Sequence, residues 1–583
     1  MLDKKMDIAR IVQYTDIYPE QRCNLPEIDK LLGGINRPHL CTITANMSSR
    51  LVEQPFFDNT LDPNNDEYDY VRFFLSRENP AYTKDVIDRF NYFRQNDTTK
   101  EGLSIKYVAT TKAAVMSFQR RFFSIPPSSD SFSLQTEIDF FNALLLINQS
   151  VYEFDFDERK HEGEPYDLYL AHLILANNYS NEDVDASDIY DVYRRQLVKS
   201  IELFTYLCRD KKLKPIKERF YAHFRIGNWI DYIIPHIASL YWMKQKSGLL
   251  AVPGKHITGR KARKVLKRSA VDSLETIPFS DNYDYKVFRA KPYIHLGNNT
   301  FAVTNISFVI EHIYNSVYFE LKKFRKDAGF TSDDDFRRYY TTAFSQNFML
   351  NRFLKRCFDG KESVILNGED CDDIFKTIKV EHVYLLDFYI RYRDCCVLFE
   401  FKDTLLSAQL KDERNPEEFY KEIKKKFVVN QDGRPKGVAQ LMNNAKAIQD
   451  GSFVFDKVAK DIKVYPVLVV DNPVYTIRGM HTKLEYLMRD YCREKSIDGD
   501  YIRPLILVDI ATFRLYADYF SSVGFPQVFE EYYNTIQMSP RPDYNSAVQS
   551  LMSFSEFMKD KKVGNMGMVF NQLLNQARPY FKK

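Results

Sequence analysis

Little in this chain of 583 residues points to a chemistry by sheer abundance. Tryptophan is scarce, with 2 residues, and the formal net charge is only +3. A polyanion partner is therefore not signalled globally, although a nucleic-acid binder needs only a local basic surface. The 8 cysteines form no Cys-x-x-Cys pair, which excludes the usual spacing of a structural zinc site. They read as reduced, mostly buried thiols of a cytosolic chain. No Gly-x-x-x-x-Gly-Lys-Ser/Thr loop is present, so the P-loop route to ATP hydrolysis is excluded. His-Glu-x-x-His and Gly-x-Ser-x-Gly are absent too. The 10 histidines are dispersed, and no pair has metal-ligand spacing. No apolar run reaches the roughly 18 residues needed to span a bilayer. The segment from Met1 to Asp7 lacks the apolar centre of a signal peptide. A cytoplasmic protein without a membrane partner is the expectation.

What is present is an ordinary globular balance, 44% hydrophobic and 28% charged, in a chain long enough for about three or four domains. Residues 1 to about 110 alternate short apolar runs with polar segments, a mixed α and β texture. From about 130 to 250 apolar residues recur at helical spacing, as at Phe140, Leu144 and Ile147, and at Ile201, Phe204 and Leu207. A basic run follows, with Arg260, Lys261, Arg263 and Lys264 as candidate phosphate contacts. The alternative is a solvated helix face. Tyr293–Leu296 and Phe301–Val303 flank the turn Gly297, Asn298, Asn299 and predict a hairpin. Ser332 with Asp335 predicts a capping box that opens a helix to about Phe358.

Beyond Gly360 the texture turns to strands at 363–366, 380–391 and 396–401, and later at 464–470 and 505–510. Between them lie helices over about 415–428, 436–449 and 479–493. Near-continuous apolar strands imply burial on both faces, and the order implies an α/β layer on a mixed sheet. A helical tail begins after about 530.

The stretch from Asp387 to Lys402 carries the chemistry. If Tyr392 and Cys395 close a two-residue turn, Asp387 lies opposite Glu400. Glu400 and Lys402, two apart, share that face. Val397, Phe399 and Phe401 face the other way, into a core. Two facing carboxylates repel unless a cation lies between them, and Mg²⁺ is the usual hard, oxygen-bound choice. Asp387 and Glu400 would hold it, and Lys402 would orient a water or stabilise developing charge. The competing reading is an ion-pair cluster on an exposed sheet face.

This pattern resembles the PD-(D/E)xK nuclease superfamily, the restriction-endonuclease-like fold, over residues 330–515. The resemblance implies that Asp387, Glu400 and Lys402 are catalytic, and that Gln440 faces the site from the next helix. Lys436, one turn earlier, would reach a phosphate. Independently of the resemblance, Lys421, Lys424, Lys425, Lys426 and Arg434 form a charged insertion that reads either as a guide for a polyanionic strand or as a solvated helix face balanced by Glu417, Glu418 and Glu422. Many members carry an acid on the helix before the hairpin. Here that helix reads Phe344 to Arg352 without one, leaving Gln346 or Asn347 to substitute through an amide oxygen. The fold expected is multidomain α+β: a mainly helical N-terminal region (1–270), a hairpin and helix connector (271–330), a nuclease-like α/β domain with a mixed central sheet (331–530) and a helical tail (531–583). The activity implied is Mg²⁺-dependent phosphodiester hydrolysis, with Mn²⁺ as a substitute metal. DNA is the expected substrate ahead of RNA, with anti-phage defence as a setting and a homo-oligomer or partner protein as possible company. The alternative is a nuclease-fold protein of little activity, acting as a nucleic-acid-binding or scaffold subunit.

Overall fold

The computed structural model describes residues 7–20, 25–51, 79–97, 104–108, 110–128, 133–151, 156–181, 184, 188–245, 248–252, 257–358, 363–377, 386–537, 544–561 and 566–577. Among these the architecture is mixed α and β, mostly helical, with three sheets. No described helix is long and apolar enough to cross a membrane.

In the first 110 residues, strands β1 (Asp7–Ile11) and β2 (Ser104–Val108) pair in parallel, and helices pack around them. The run around Leu40 belongs to helix Arg37–Arg50. Helices Leu134–Val151, Tyr166–Asn178, Ile189–Arg209 and Trp229–Lys244 account for the periodic stretch that follows. A second sheet has the order β3-β6-β5-β4, from β3 (Leu249–Ala251), β4 (Ala270–Asp272), β5 (Tyr293–Gly297) and β6 (Thr300–Val303). Asn298 and Asn299 both take left-handed φ values, 46° and 62°. That conformation twists a two-residue hairpin to match its strands, and Asn tolerates it well.

The third sheet carries the site. Its order is β11-β10-β9-β8-β7, built from β7 (Ser363–Asn367), β8 (Phe388–Tyr392), β9 (Cys395–Lys402), β10 (Lys463–Val470) and β11 (Ile506–Asp509). β7, β8 and β9 form an antiparallel meander, and β9, β10 and β11 run parallel. Helices Gly437–Asp450 and Met480–Glu494 make the two parallel crossovers, as parallel neighbours require. Both faces are covered. Val397, Phe399 and Phe401 enter one core, while Cys396 and Leu398 enter the other beneath helices Pro416–Phe427 and Gly437–Asp450. The first of these cores draws its residues from Ile189 through Leu573. The segments divided at 270 and 330 therefore share one interior.

Two expectations change in detail. The strand expected over 380–391 is described only as Phe388–Tyr392, and 378–385 lie outside the described residues. The helix expected from Ser332 to Phe358 is present but not uniformly α. It runs as Asp333–Tyr339, then a π-helical stretch Tyr340–Asn351, then Arg352–Phe358. Ser332 caps it by accepting from the Asp335 amide at 3.0 Å. Asp335 does not return the bond to Ser332; it accepts from the Thr331 amide at 3.2 Å.

Candidate active site

β8 and β9 pair in the register Phe388↔Phe399 through Tyr392↔Cys395. Continuing it by one step sets Asp387 against Glu400. Asp387 lies just past the last ladder pair and turns onto the end of β9. Its Oδ2 accepts from the Phe401 amide at 2.7 Å, and its Oδ1 accepts from Gln346 Nε2 at 2.8 Å. The π-helical stretch thus holds Asp387 from behind. Such widened helical turns are frequent at functional sites.

Glu400 continues the face of Leu398 but replaces a core side chain with a carboxylate, and only 3% of that side chain is exposed. Its Oε1 pairs with Lys402 Nζ. Its Oε2 is buried without a hydrogen-bond partner. An orphaned buried polar atom of this kind costs about 1–3 kcal/mol, more when charged. Burial first, and then the neighbouring Asp387 carboxylate, push the Glu400 carboxyl up to about 8. Burial also raises the Asp387 carboxyl. Burial opposes the Lys402 ammonium, but Glu400 and Asp387 outweigh it, and the group is held above its ordinary value.

Gln440 closes the arrangement. Its Oε1 accepts from Lys402 Nζ at 3.1 Å and from the Gly437 amide at 2.8 Å. This contact requires the helix Gly437–Asp450 to start hard against the preceding one. Gly437 sits at φ +40°, where a Cβ would lie 2.9 Å from the Phe427 carbonyl oxygen. Lys436 precedes the first turn, half-buried, and its charge acts on Glu400.

Asp387, Glu400, Lys402 and Gln440 are therefore brought together, and Lys436 lies at the edge. Arg434 is exposed in the loop before Lys436. The basic run forms the helix Ile257–Arg268, which packs on Trp229–Lys244. Its side chains are not uniformly available to phosphate. Lys261 pairs with Asp231 at 2.9 Å, and Arg263 donates to Asn299 Oδ1 at 3.0 Å. Arg260 and Lys264 are exposed.

Three features differ from the sequence reading or add to it. Gln346 meets Asp387 through its amide nitrogen, not its oxygen, so it holds the acid in place instead of standing in for one. Asn347 points to a different acid, donating to Glu369 Oε1 at 3.2 Å. Glu369 belongs to the helix Gly368–Thr377 after β7, and no spacing rule connects it to the hairpin. Finally, the histidines are not all dispersed: His161 and His172 converge on Glu164.

The carboxylate pair suits a hard divalent cation. Two acids crowd one buried spot, one oxygen has no partner, and the set is all oxygen. No family model, curated protein or solved structure matches the chain.

Proposed function

We propose that this chain is a metal-dependent nuclease that hydrolyses phosphodiester bonds, with DNA as its substrate. The observation that carries the reading is the convergence of Asp387, Glu400 and Lys402 at the end of β9, with Glu400 Oε2 buried and unpartnered. Asp387 and Glu400 would hold Mg²⁺ or Mn²⁺. Bound there, the ion would polarise the phosphate and lower the pKa of a coordinated water.

The chain's own residues do the rest. The Phe401 amide and Gln346 fix both oxygens of Asp387, so its orientation is set before any ligand arrives. Lys402, 21% exposed at its side chain, can turn its ammonium from Glu400 toward a phosphate oxygen or the attacking water. Gln440 keeps that ammonium within reach of the site as it turns. Lys436 adds positive charge at the rim, where a phosphate backbone would pass.

A second reading is favoured by one specific observation. Gln346, not an acid, faces Asp387 from the preceding helix. With one fewer carboxylate, the chain could bind nucleic acid as a scaffold and cut it slowly or not at all.

The full chain should be incubated with plasmid, linear duplex, single-stranded DNA and RNA in Mg²⁺ or Mn²⁺. Cleavage of DNA that EDTA stops, and that Lys402→Ala and Glu400→Gln each reduce at least about 100-fold, is expected (~3 kcal/mol at 1.4 kcal/mol per tenfold). Cleavage unchanged by Lys402→Ala refutes the assignment. Binding without cleavage selects the scaffold reading.

A further inference from the structure

A second cluster lies away from the carboxylate site, where the N-terminal helices meet the crossover helices. His161 ends a short 3₁₀ turn, Glu158–His161, and helix Tyr166–Asn178 carries His172. Glu164 lies in the link between them. His161 Nδ1 is 3.2 Å and His172 Nδ1 2.8 Å from the same oxygen, Glu164 Oε2. One ligand atom of each residue lies within 4.8 Å of the others. Four ligands at about 2.0–2.2 Å around a tetrahedral ion stand roughly 3.3 Å apart, so the two Glu164 separations lie within about 0.5 Å of a filled site, and the third is at most 4.8 Å.

The surroundings hold the donors in place. His161 is 7% and His172 2% exposed, whereas the Glu164 side chain keeps 25%. Phe156 stacks on His161 with ring centres 4.8 Å apart. Tyr420 packs against His172 at 4.7 Å and donates its hydroxyl to the His172 carbonyl at 2.7 Å. Access is therefore from the Glu164 side, where an ion's fourth position would be left to water.

A fourth group sets the terms. Lys483, on helix Met480–Glu494, puts Nζ 2.6 Å from His172 Nε2. An ammonium donating there requires the lone pair on Nε2 and the proton on Nδ1. The Nδ1–H then donates to Glu164. Both imidazoles aim at one carboxylate oxygen, and the lysine supplies the compensating positive charge.

We propose that His161, Glu164 and His172 form a zinc-binding site, and that Lys483 and the ion compete for it. Two imidazoles and one carboxylate are a donor set zinc favours, with three protein ligands and one open position. When zinc binds Nδ1 of His172, the ring keeps one proton and carries it on Nε2. The Lys483 ammonium then faces an N–H and a dication, and it must swing away. Binding thus exchanges one cation for another. The exchange couples helix Tyr166–Asn178 to helix Met480–Glu494, which crosses over between β10 and β11.

Purified full chain carrying Glu400→Gln, so that the carboxylate site does not contribute, is stripped with EDTA. Zn²⁺ is then titrated against a chromophoric chelator, and metal per chain is measured by mass spectrometry. One zinc per chain is expected. Glu164→Gln and His172→Ala should weaken binding at least tenfold. Lys483→Met should strengthen it at least tenfold, a gain that no folding defect produces. Uptake no greater than that of His172→Ala or Glu164→Gln overturns the site. An unchanged or weaker affinity in Lys483→Met overturns the competition.

Discussion

Replacing Gln346 by glutamate probes the buried carboxylate pair most directly. The change removes a 2.8 Å hydrogen bond to Asp387 Oδ1 and sets a carboxyl in its place. A hydrogen bond to a charged acceptor is worth about 1.5–3 kcal/mol. Two like charges about 4 Å apart repel by about 4 kcal/mol at an effective dielectric of about 20. The introduced carboxyl escapes part of this by taking up a proton, so its pKa in the fold is raised above the unfolded value of about 4.3. A raised acid binds more protons folded than unfolded, so the penalty is absent below about pH 4 and grows as pH rises. At pH 8 and in EDTA, Gln346→Glu should lower stability by about 4 kcal/mol or more, and Gln346→Ala by only the lost hydrogen bond. Mg²⁺ narrows the gap, because a third carboxylate strengthens the ion's hold. An ion present at 100 times its dissociation constant returns about 2.7 kcal/mol. Urea unfolding midpoints of both variants, with Mg²⁺ and with EDTA, provide the test. A glutamate variant as stable as the parent in EDTA refutes the reasoning. So does an Mg²⁺ response no larger than that of the alanine variant.

Two more outcomes follow from the structure. Burial pushes His312 and His481 down to about 4 from an ordinary value of 6.5. Each is therefore neutral in the fold, its contribution is full above pH 6.5, and roughly 3 kcal/mol per residue is lost as pH falls from 6.5 through 4. Melting curves from pH 7 to pH 4 should show this, and His312→Gln should flatten the slope. At Gly437, alanine should cost only about 1–2 kcal/mol for its left-handed backbone plus the clash with Phe427. Its larger effect is to move the helix start and separate Gln440 from Lys402, so cleavage falls far more than the melting temperature. Equal losses in both would contradict that geometry.

The hairpin was legible because side-chain alternation and a two-residue turn leave a strand pair only one register. Asp387, Glu400 and Lys402 followed from it, and Val397, Phe399 and Phe401 fell on the opposite face for the same reason. Gln440 was reachable through a resemblance that names the next helix. What stayed hidden depends on distance in space. Nothing in Tyr340–Asn351 marks the π-helical turn that brings Gln346 to Asp387. Glu369 comes near through a helix after β7, in a segment with no chemical signature. The His161 and His172 pair is separated by ten residues and a helix start, a spacing that short-motif rules pass over. The basic run at 260–264 shows the converse: charge in sequence does not reveal that Lys261 and Arg263 have partners in the fold while Arg260 and Lys264 are exposed.

The core shared across the chain has a meaning in time as well as in space. The side chains that back β9 include Phe513 and Phe525, whose rings pack on Phe399. Phe525 follows Lys402 by 123 residues. At about 5–20 residues per second, a growing chain carries Asp387, Glu400 and Lys402 for roughly 6–25 s before that support exists. The strand that holds three charged groups at its end is seated only after a long further stretch has been made. Interrupted synthesis therefore leaves the charged residues without the geometry that makes them a site.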